Sequence, residues 1–416
     1  MKNTGQMKLN NSLLRNFALL YGAALLSGLG WGMVIPTIPS LTESFDISVG
    51  AAAQTVTAYA AGRFAGTPVA GIIVDRLGPR PMMVGGASVT SLAAVFAYLS
   101  PWFGGLLVSL AVIGAADAIW TLGREVAGID LTRQDQRGRV MSGFHGVHSV
   151  GLTLGPLIGG ILTEMAGFRT VYIAYAMSAG ISVFLGLVVD SPEQRATETQ
   201  PAPARERSHA FGLRQAWQRL WSLFRQIEPG LRNTYAVLVL ATVTSLVFRF
   251  TIQSMLPLYA AKQLGSTPVE IGLLFTISGI VVFGMIVPAG FVLDKVGRKW
   301  ATVPSHVIPA VVFLLIPFTT SFTQLVALMC FSGIASGLSL GSLATSCYDV
   351  VPQAARGRLQ AARRTIADLG GLFAPLLGGM LANAFNAAMP FLVFSPILAF
   401  SALLLALVAK ETLAKH

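Results

Sequence analysis

What this sequence has least of is charge: of 416 residues only 11% are Asp, Glu, Lys or Arg, against 54% hydrophobic, and mean hydropathy is +0.67. So little polar surface cannot cover a water-soluble globule of this length, and lipid is the solvent that fits. Cysteine is nearly absent. Cys330 and Cys347 stand 17 positions apart on one apolar run, which in a helix is about 25 Å, too far for a mutual disulfide. The pair therefore says nothing about compartment. Strict apolar–polar alternation is missing as well, for example between Ile181 and Val189, which excludes a membrane β-barrel and leaves helices as the spanning element. There is no Gly-Lys-Ser/Thr, and Gly28-x-Gly30-x-Gly32 lies inside an apolar run rather than after a strand. Nucleotide binding is not implied.

What is present is a series of long apolar runs. A bilayer core of about 30 Å takes about 20 apolar residues per helix, and spans are expected near 16–40, 51–74, 81–101, 103–127, 140–165, 168–189, 233–260, 268–293, 301–320, 322–347, 360–385 and 387–409. Lys2 and Lys8 precede the first run, which is longer than a signal peptide's apolar region and is read as an uncleaved helix. The formal net charge of +11 lies on one side. Starting inside and alternating, Lys2, Arg76, Arg137, Arg205, Lys295, Arg356 and Lys415 fall inside, whereas Arg169 and Lys262 fall outside. That is the positive-inside pattern of a multi-pass protein in a plasma or inner membrane, both termini cytoplasmic, and it explains the basicity without nucleic acid.

Sliding the chain against itself by 219 positions superimposes rare residues without gaps. Gly71-x-x-x-Asp75-Arg76-x-Gly78-x-Arg80 falls on Gly290-x-x-x-Asp294-Lys295-x-Gly297-x-Lys299. Asp130 falls on Asp349, Arg137-Gly138-Arg139 on Arg356-Gly357-Arg358, and Pro156-x-x-Gly159-Gly160 on Pro375-x-x-Gly378-Gly379. An even number of spans per repeat makes the halves parallel, with a site expected between them. The expected organisation is a six-helix half over 1–189, a cytoplasmic linker over 190–232 and a second six-helix half over 233–416. Within the linker, Leu213, Trp217, Leu220, Trp221 and Phe224 alternate with Arg214, Arg219 and Arg225 between Phe211 and Ile227, which suits an amphipathic helix on the anionic inner leaflet.

Gly71 to Arg80 and its copy, Gly290 to Lys299, resemble the loop signatures between helices 2 and 3 and between helices 8 and 9 of the major facilitator superfamily. The resemblance implies twelve transmembrane helices and a cytoplasmic latch of Gly71, Asp75, Arg76, Gly78, Arg80, Asp130, Asp294, Lys295, Gly297 and Arg298. Pro79 stands where the family pattern has a basic residue. Gly71 is expected to permit close helix approach and Gly78 a tight turn. Gly151-x-x-x-Gly155-Pro156-x-x-Gly159-Gly160 resembles the superfamily's antiporter motif, a small-residue face followed by a kink. Gly30-Trp31-Gly32-Met33-Val34-Ile35-Pro36-Thr37-Ile38-Pro39 is similar to helix 1 of the twelve-span drug:proton antiporters. Two departures stand out: Leu110, four residues before Gly114, replaces an arginine common in such exporters, and helix 1 has no acidic residue after Arg15.

An ionisable side chain inside a span costs roughly 2.5–3.5 kcal/mol on insertion scales, so each asks for a partner or a water-filled cavity. The candidates are Arg63, Asp117, Arg124, Glu125, Arg249, Arg364 and Asp368. Asp117 and Arg249 sit near mid-span on helices that line the family's cavity, and are the first choice for a substrate or proton pair. Trp120 is one turn from Asp117 and is expected on the same wall. Arg63, Arg124 and Glu125 are counted with them as substrate or proton residues, Arg124 as gate or cavity and Glu125 with a latch role beside Asp130 as its alternative, while Arg364 with Asp368 is read as a local i,i+4 bridge. An ion pair serving only packing is the bland alternative for Asp117 and Arg249. His145-x-x-His148 lacks companion ligands, so no metal or cofactor is expected, and these rings are read as ordinary hydrogen-bonded imidazoles with a proton relay as the alternative, His306 having the same ordinary reading. The expectation is a monomeric secondary transporter, not an enzyme, exporting small organic solutes in exchange for protons. Uptake of a nutrient, organic anion, siderophore or metal chelate, and a transporter-like sensor, are the alternatives.

Overall fold

The computed structural model describes residues 2–132, 137–189, 224–352 and 355–412, with side chains from Arg15 onward except 137–139. The linker's expected amphipathic stretch lies outside the described residues up to 223, as do the side chains of Arg137 and Arg139. All described elements are helical. The principal helices are α1 (Arg15–Ser44, continuing N-terminally to Lys2), α2 (Val49–Leu77), α3 (Pro79–Leu99), α4 (Phe103–Asp130), α5 (Arg137–Ala166), α6 (Phe168–Val188), α7 (Arg232–Leu264), α8 (Pro268–Val296), α9 (Arg298–Phe318), α10 (Phe322–Val350), α11 (Arg356–Ala384) and α12 (Met389–Leu407).

Eleven of these are long and apolar enough to cross a membrane. The remaining one, α2, has 29 residues and a length of about 44 Å. Gln54, Arg63, Asp75 and Arg76 lower its hydropathy rather than its reach. Phe96, Phe184, Leu407 and Val287 are 67%, 70%, 74% and 79% exposed, an apolar exterior that only lipid satisfies.

The breaks inside helices follow from local chemistry. Pro36 and Pro39 lack backbone donors, and α1 tightens into a 3-10 turn at Ile35–Thr37. Gly341, at φ +80, divides α10. In α9, Pro304 follows a turn at Val303, and the His306 amide donates to the Val303 carbonyl at 3.0 Å instead of to Thr302.

The helices form two compact units, α1–α6 and α7–α12, apart from the first turns of α2 and α8. The repeat of 219 carries into secondary structure: α3 and α9 begin at Pro79 and Arg298, α4 and α10 at Phe103 and Phe322, α5 and α11 at Arg137 and Arg356. It carries into packing too. In the first unit α1 packs on α5 and α6, and α3 on α4 and α6; in the second α7 packs on α11 and α12, and α9 on α10 and α12.

Glycines set the closest of these contacts. Added Cβ atoms at Gly151, Gly155 and Gly159 of α5 would collide with the backbone of α1 around Leu25, Leu29, Gly32 and Met33. Bare backbone therefore lets α1 and α5 meet directly.

Candidate functional site

The site begins with the same device on α2 and α4. Added Cβ atoms at Gly62 and Gly66 of α2 would run into Ala111 and Ala115, and one at Gly114 of α4 would run into the Tyr59 carbonyl. With the two backbones this close, a side chain as short as aspartate reaches across. Asp117 is 2% exposed and lies directly against the Arg63 guanidinium. Its Oδ2 also accepts from the Tyr59 hydroxyl at 3.0 Å, and its Oδ1 accepts from the Ser27 hydroxyl of α1 at 3.0 Å. Tyr59 is fixed in turn by stacking on Trp31, with ring centroids 3.6 Å apart and planes 12° from parallel. Three helices thus hold one carboxylate with charged, phenolic and aliphatic donors, the satisfaction a buried anion requires.

The two charges are not equally sealed. Arg63's side chain is 34% exposed against 2% for Asp117, so the cation faces open space while its anion does not. Farther along α4, Arg124 is 2% exposed and gives one long hydrogen bond, 3.4 Å, to the Ala23 carbonyl. Its Nε and the Tyr175 hydroxyl of α6 are buried without an acceptor or donor among the described residues. Such orphaned groups mark a place for water or a bound polar molecule.

Several expectations change here. The guanidinium directly on Asp117 belongs to Arg63, one unit's own residue, while Arg249 is exposed on α7 of the second unit. Trp120 does not line an open wall: it is 1% exposed and buried in a cluster with Leu20, Ala87 and Phe144, because Gly86 of α3 lets that helix come directly against the Trp120 backbone. Glu125 is paired loosely with His145, at 3.9 Å, whereas the His148 ring lies 3.3 Å from the Ala24 carbonyl. The two histidines thus serve different partners. Arg364 and Asp368 make the expected i,i+4 contact at 3.7 Å.

In the loop signatures, Gly78 adopts φ +77 and Gly297 φ +149, conformations that favour glycine. Gly71 is different: a Cβ there would meet nothing within 4 Å, so close approach is not its role in this structure. Arg80 donates to the Leu187 carbonyl at 2.5 Å. Asp75, Arg76 and Asp130 are exposed at the ends of their helices. In the second unit Arg298, absent from the first because Pro79 occupies its place, joins Asp294 at 3.1 Å and Asp349 at 3.2 Å. Glu411 accepts from the amides of Arg298 and Lys299 at 2.9 and 3.1 Å, capping the N-terminus of α9 with negative charge. Lys295 stays exposed beside it.

Sequence reasoning missed Ser27, Tyr59 and Tyr175, whose hydroxyls are unremarkable in a membrane helix until a carboxylate is placed among them. It also passed over Arg363, next to the more conspicuous Arg364. Arg363 is 9% exposed and donates to Thr242 Oγ1 at 2.7 Å and to Gln360 Oε1 at 2.8 Å.

Known proteins agree with this architecture. Multidrug resistance protein 2 of Bacillus subtilis (strain 168) is 24% identical over 388 residues, 90% of either chain. The multi-drug resistance efflux pump PmrA of Streptococcus pneumoniae is 24% identical over 405 residues, covering 93% of this chain and 94% of that one. Among solved structures, a D-xylose-proton symporter superimposes with a TM-score of 0.75 at 16% identity, over 96% of this chain and 98% of its own. The sequence matches the Major Facilitator Superfamily over residues 20–228 and 238–416; the chain belongs to that superfamily and is a multi-pass membrane transporter rather than an enzyme.

Proposed function

We propose that the chain exports small organic compounds in exchange for protons, with both termini cytoplasmic, and that Asp117 is the group at which proton and substrate are linked. The observation that carries this is the asymmetry of the ion pair: a sealed carboxylate is satisfied by a guanidinium that is one-third open. A proton on Asp117 removes the attraction that holds Arg63, and the released guanidinium then changes what the cavity presents to a solute. The orphaned Arg124 Nε and Tyr175 hydroxyl supply further polar contacts for water or substrate beside it. The drug-efflux relatives favour outward transport of amphipathic compounds.

An organic anion is the second reading, favoured by Arg363, a buried cation whose two acceptors are both neutral oxygens. Energised inside-out vesicles, given a panel of amphipathic cations, neutral compounds and carboxylates while internal pH is followed, decide between them. Proton release from the lumen on addition of a translocated compound supports exchange. Translocation with no proton movement, for every compound carried, rejects it. Asp117→Asn is expected to abolish coupled transport while the protein remains folded in the membrane; coupling at the unsubstituted level in that variant assigns Asp117 to structure.

A further inference from the structure

The repeat that relates the two units also shows where their interiors differ. Trp120 corresponds at the 219 offset to Ser339, Gly86 to Ser305, Ala87 to His306 and Asp117 to Ser336. In the first unit Gly86 lets α3 come directly against the Trp120 backbone of α4, and the Trp120 side chain is buried in a cluster with Leu20, Ala87 and Phe144. In the second, serines and a histidine stand at those positions, and a small cavity of about 20 Å³ lies between α7, α9, α10 and α12, lined by Ser245, Ser305, His306, Ser336 and Ser339 together with four apolar side chains. A cavity of that size has room for about one water, and its hydroxyls can supply the two to four partners a buried water needs.

His306 is 1% exposed and placed unusually. Its Nε2 lies 2.9 Å from the Ala241 carbonyl oxygen of α7, and its Nδ1 lies 3.0 Å from the Thr302 carbonyl oxygen. Thr302 has that oxygen to spare because the His306 amide turns to Val303 at the Pro304 break. A neutral imidazole has one N–H and can donate to only one of the two carbonyls; an imidazolium donates to both.

The Ser305 hydroxyl accommodates either form. It stands 2.8 Å from the Thr302 oxygen and 3.2 Å from His306 Nδ1. With the ring neutral, the hydroxyl donates to Nδ1; with the ring protonated, Nδ1–H donates to the Thr302 oxygen and the hydroxyl turns away. Among the described residues the ring's interactions are with the Ala241 and Thr302 backbone and the Ser305 hydroxyl, none of them charged. The residues of α7, α10 and α12 that line the cavity with it carry no ionisable group. On α11, Arg363 donates to Thr242, the neighbour of Ala241, and Cys347 of α10 lies in Arg363's field.

We infer that His306 and the hydroxyl-lined cavity beside it form a second proton-binding site, in α7–α12, loaded and emptied through cavity water. A proton carried in as hydronium adds to the Nδ1 lone pair and leaves neutral water, and the reverse transfer returns it. The site is separate from Asp117 and does not depend on the antiport reading, since its test needs no substrate.

The test is hydrogen–deuterium exchange at the C2 position of each histidine, read by mass spectrometry on the full chain in lipid nanodiscs across pH. The expected profile at His306 is sigmoidal between about pH 5 and 8. Ser305→Ala removes the hydroxyl partner of the neutral ring and is expected to displace that midpoint. Ser339→Trp puts a bulky side chain at a cavity-lining position and is expected to slow His306 exchange at least about tenfold while His145, 66% exposed, keeps its profile. A flat, pH-independent profile at His306 in the unsubstituted chain overturns the proposal whatever transport assays show. So does an unmoved midpoint in Ser305→Ala; failure of Ser339→Trp to fold leaves both of these readouts standing.

Discussion

Asp117 accepts from three donors, and the three differ in what their loss leaves behind. Without Arg63, the 2%-exposed carboxylate is left with two neutral donors, and removing one partner of a buried pair is more damaging than removing both. Arg63→Ala is therefore expected to unfold at a lower temperature than Arg63→Ala/Asp117→Asn, measured as thermal midpoints in the same detergent; the reverse order means that Asp117 is already neutral in the folded protein. Tyr59→Phe leaves the ring stacked on Trp31 and costs about 1.5–3 kcal/mol, the worth of one hydrogen bond to a charged acceptor. These residues were unequally legible. Asp117, Arg63 and Arg124 announced themselves because a charge in an apolar run is rare and costly. Which cation meets which anion was not legible, since it depends on the helix approach that Gly62, Gly66 and Gly114 allow. Trp120 was misplaced for a related reason: helical spacing puts it near Asp117 in sequence, while Leu20, Ala87 and Phe144 on other helices enclose it in the core.

Among the helices, glycine in one motif does not mean what it means in another, and the difference can be measured. The α5 glycines are packing surfaces: Gly155 has the Gly32 Cα 2.8 Å from where a Cβ would sit. Gly155→Leu is expected to force α1 and α5 apart, costing at least about 1–3 kcal/mol as an overpacked interface and lowering the yield of folded protein. Gly71 has no neighbour within 4 Å of that position, so Gly71→Ala is expected to raise the unfolding midpoint slightly, helix propensity gaining about 0.5–1 kcal/mol. A midpoint drop as large as that of Gly155→Leu shows instead that Gly71 is closely packed in the state that unfolds. The antiporter-like motif was thus readable in physical terms from sequence, as small residues at intervals of four. The role of Gly71 was not, because its spacing carries no record of which neighbour faces it.

For the whole molecule, the run of apolar segments and the 219-residue repeat made twelve helices in two like units legible before any coordinate, and helix boundaries follow that register closely. Orientation rests on a separate physical argument. Cations cluster in the connections between even- and odd-numbered helices, where Arg76 and Lys295 are exposed, while the opposite ends carry Glu43 and the sparse cation Lys262, also exposed. Lys and Arg are retained on the cytoplasmic side during insertion, so the α2–α3 and α8–α9 connections are expected on the inside, as the proposed function requires. Single cysteines at these four positions test it, in a background where Cys330 and the buried Cys347 are replaced by serine and alanine. In intact cells a membrane-impermeant maleimide is expected to label Glu43→Cys and Lys262→Cys at once, and Arg76→Cys and Lys295→Cys only after permeabilisation. Because the repeat makes the two units parallel, each pair must behave alike. Labelling that splits Arg76 from Lys295 contradicts the parallel arrangement itself, whereas labelling that swaps the pairs keeps the fold and inverts the direction of proposed export.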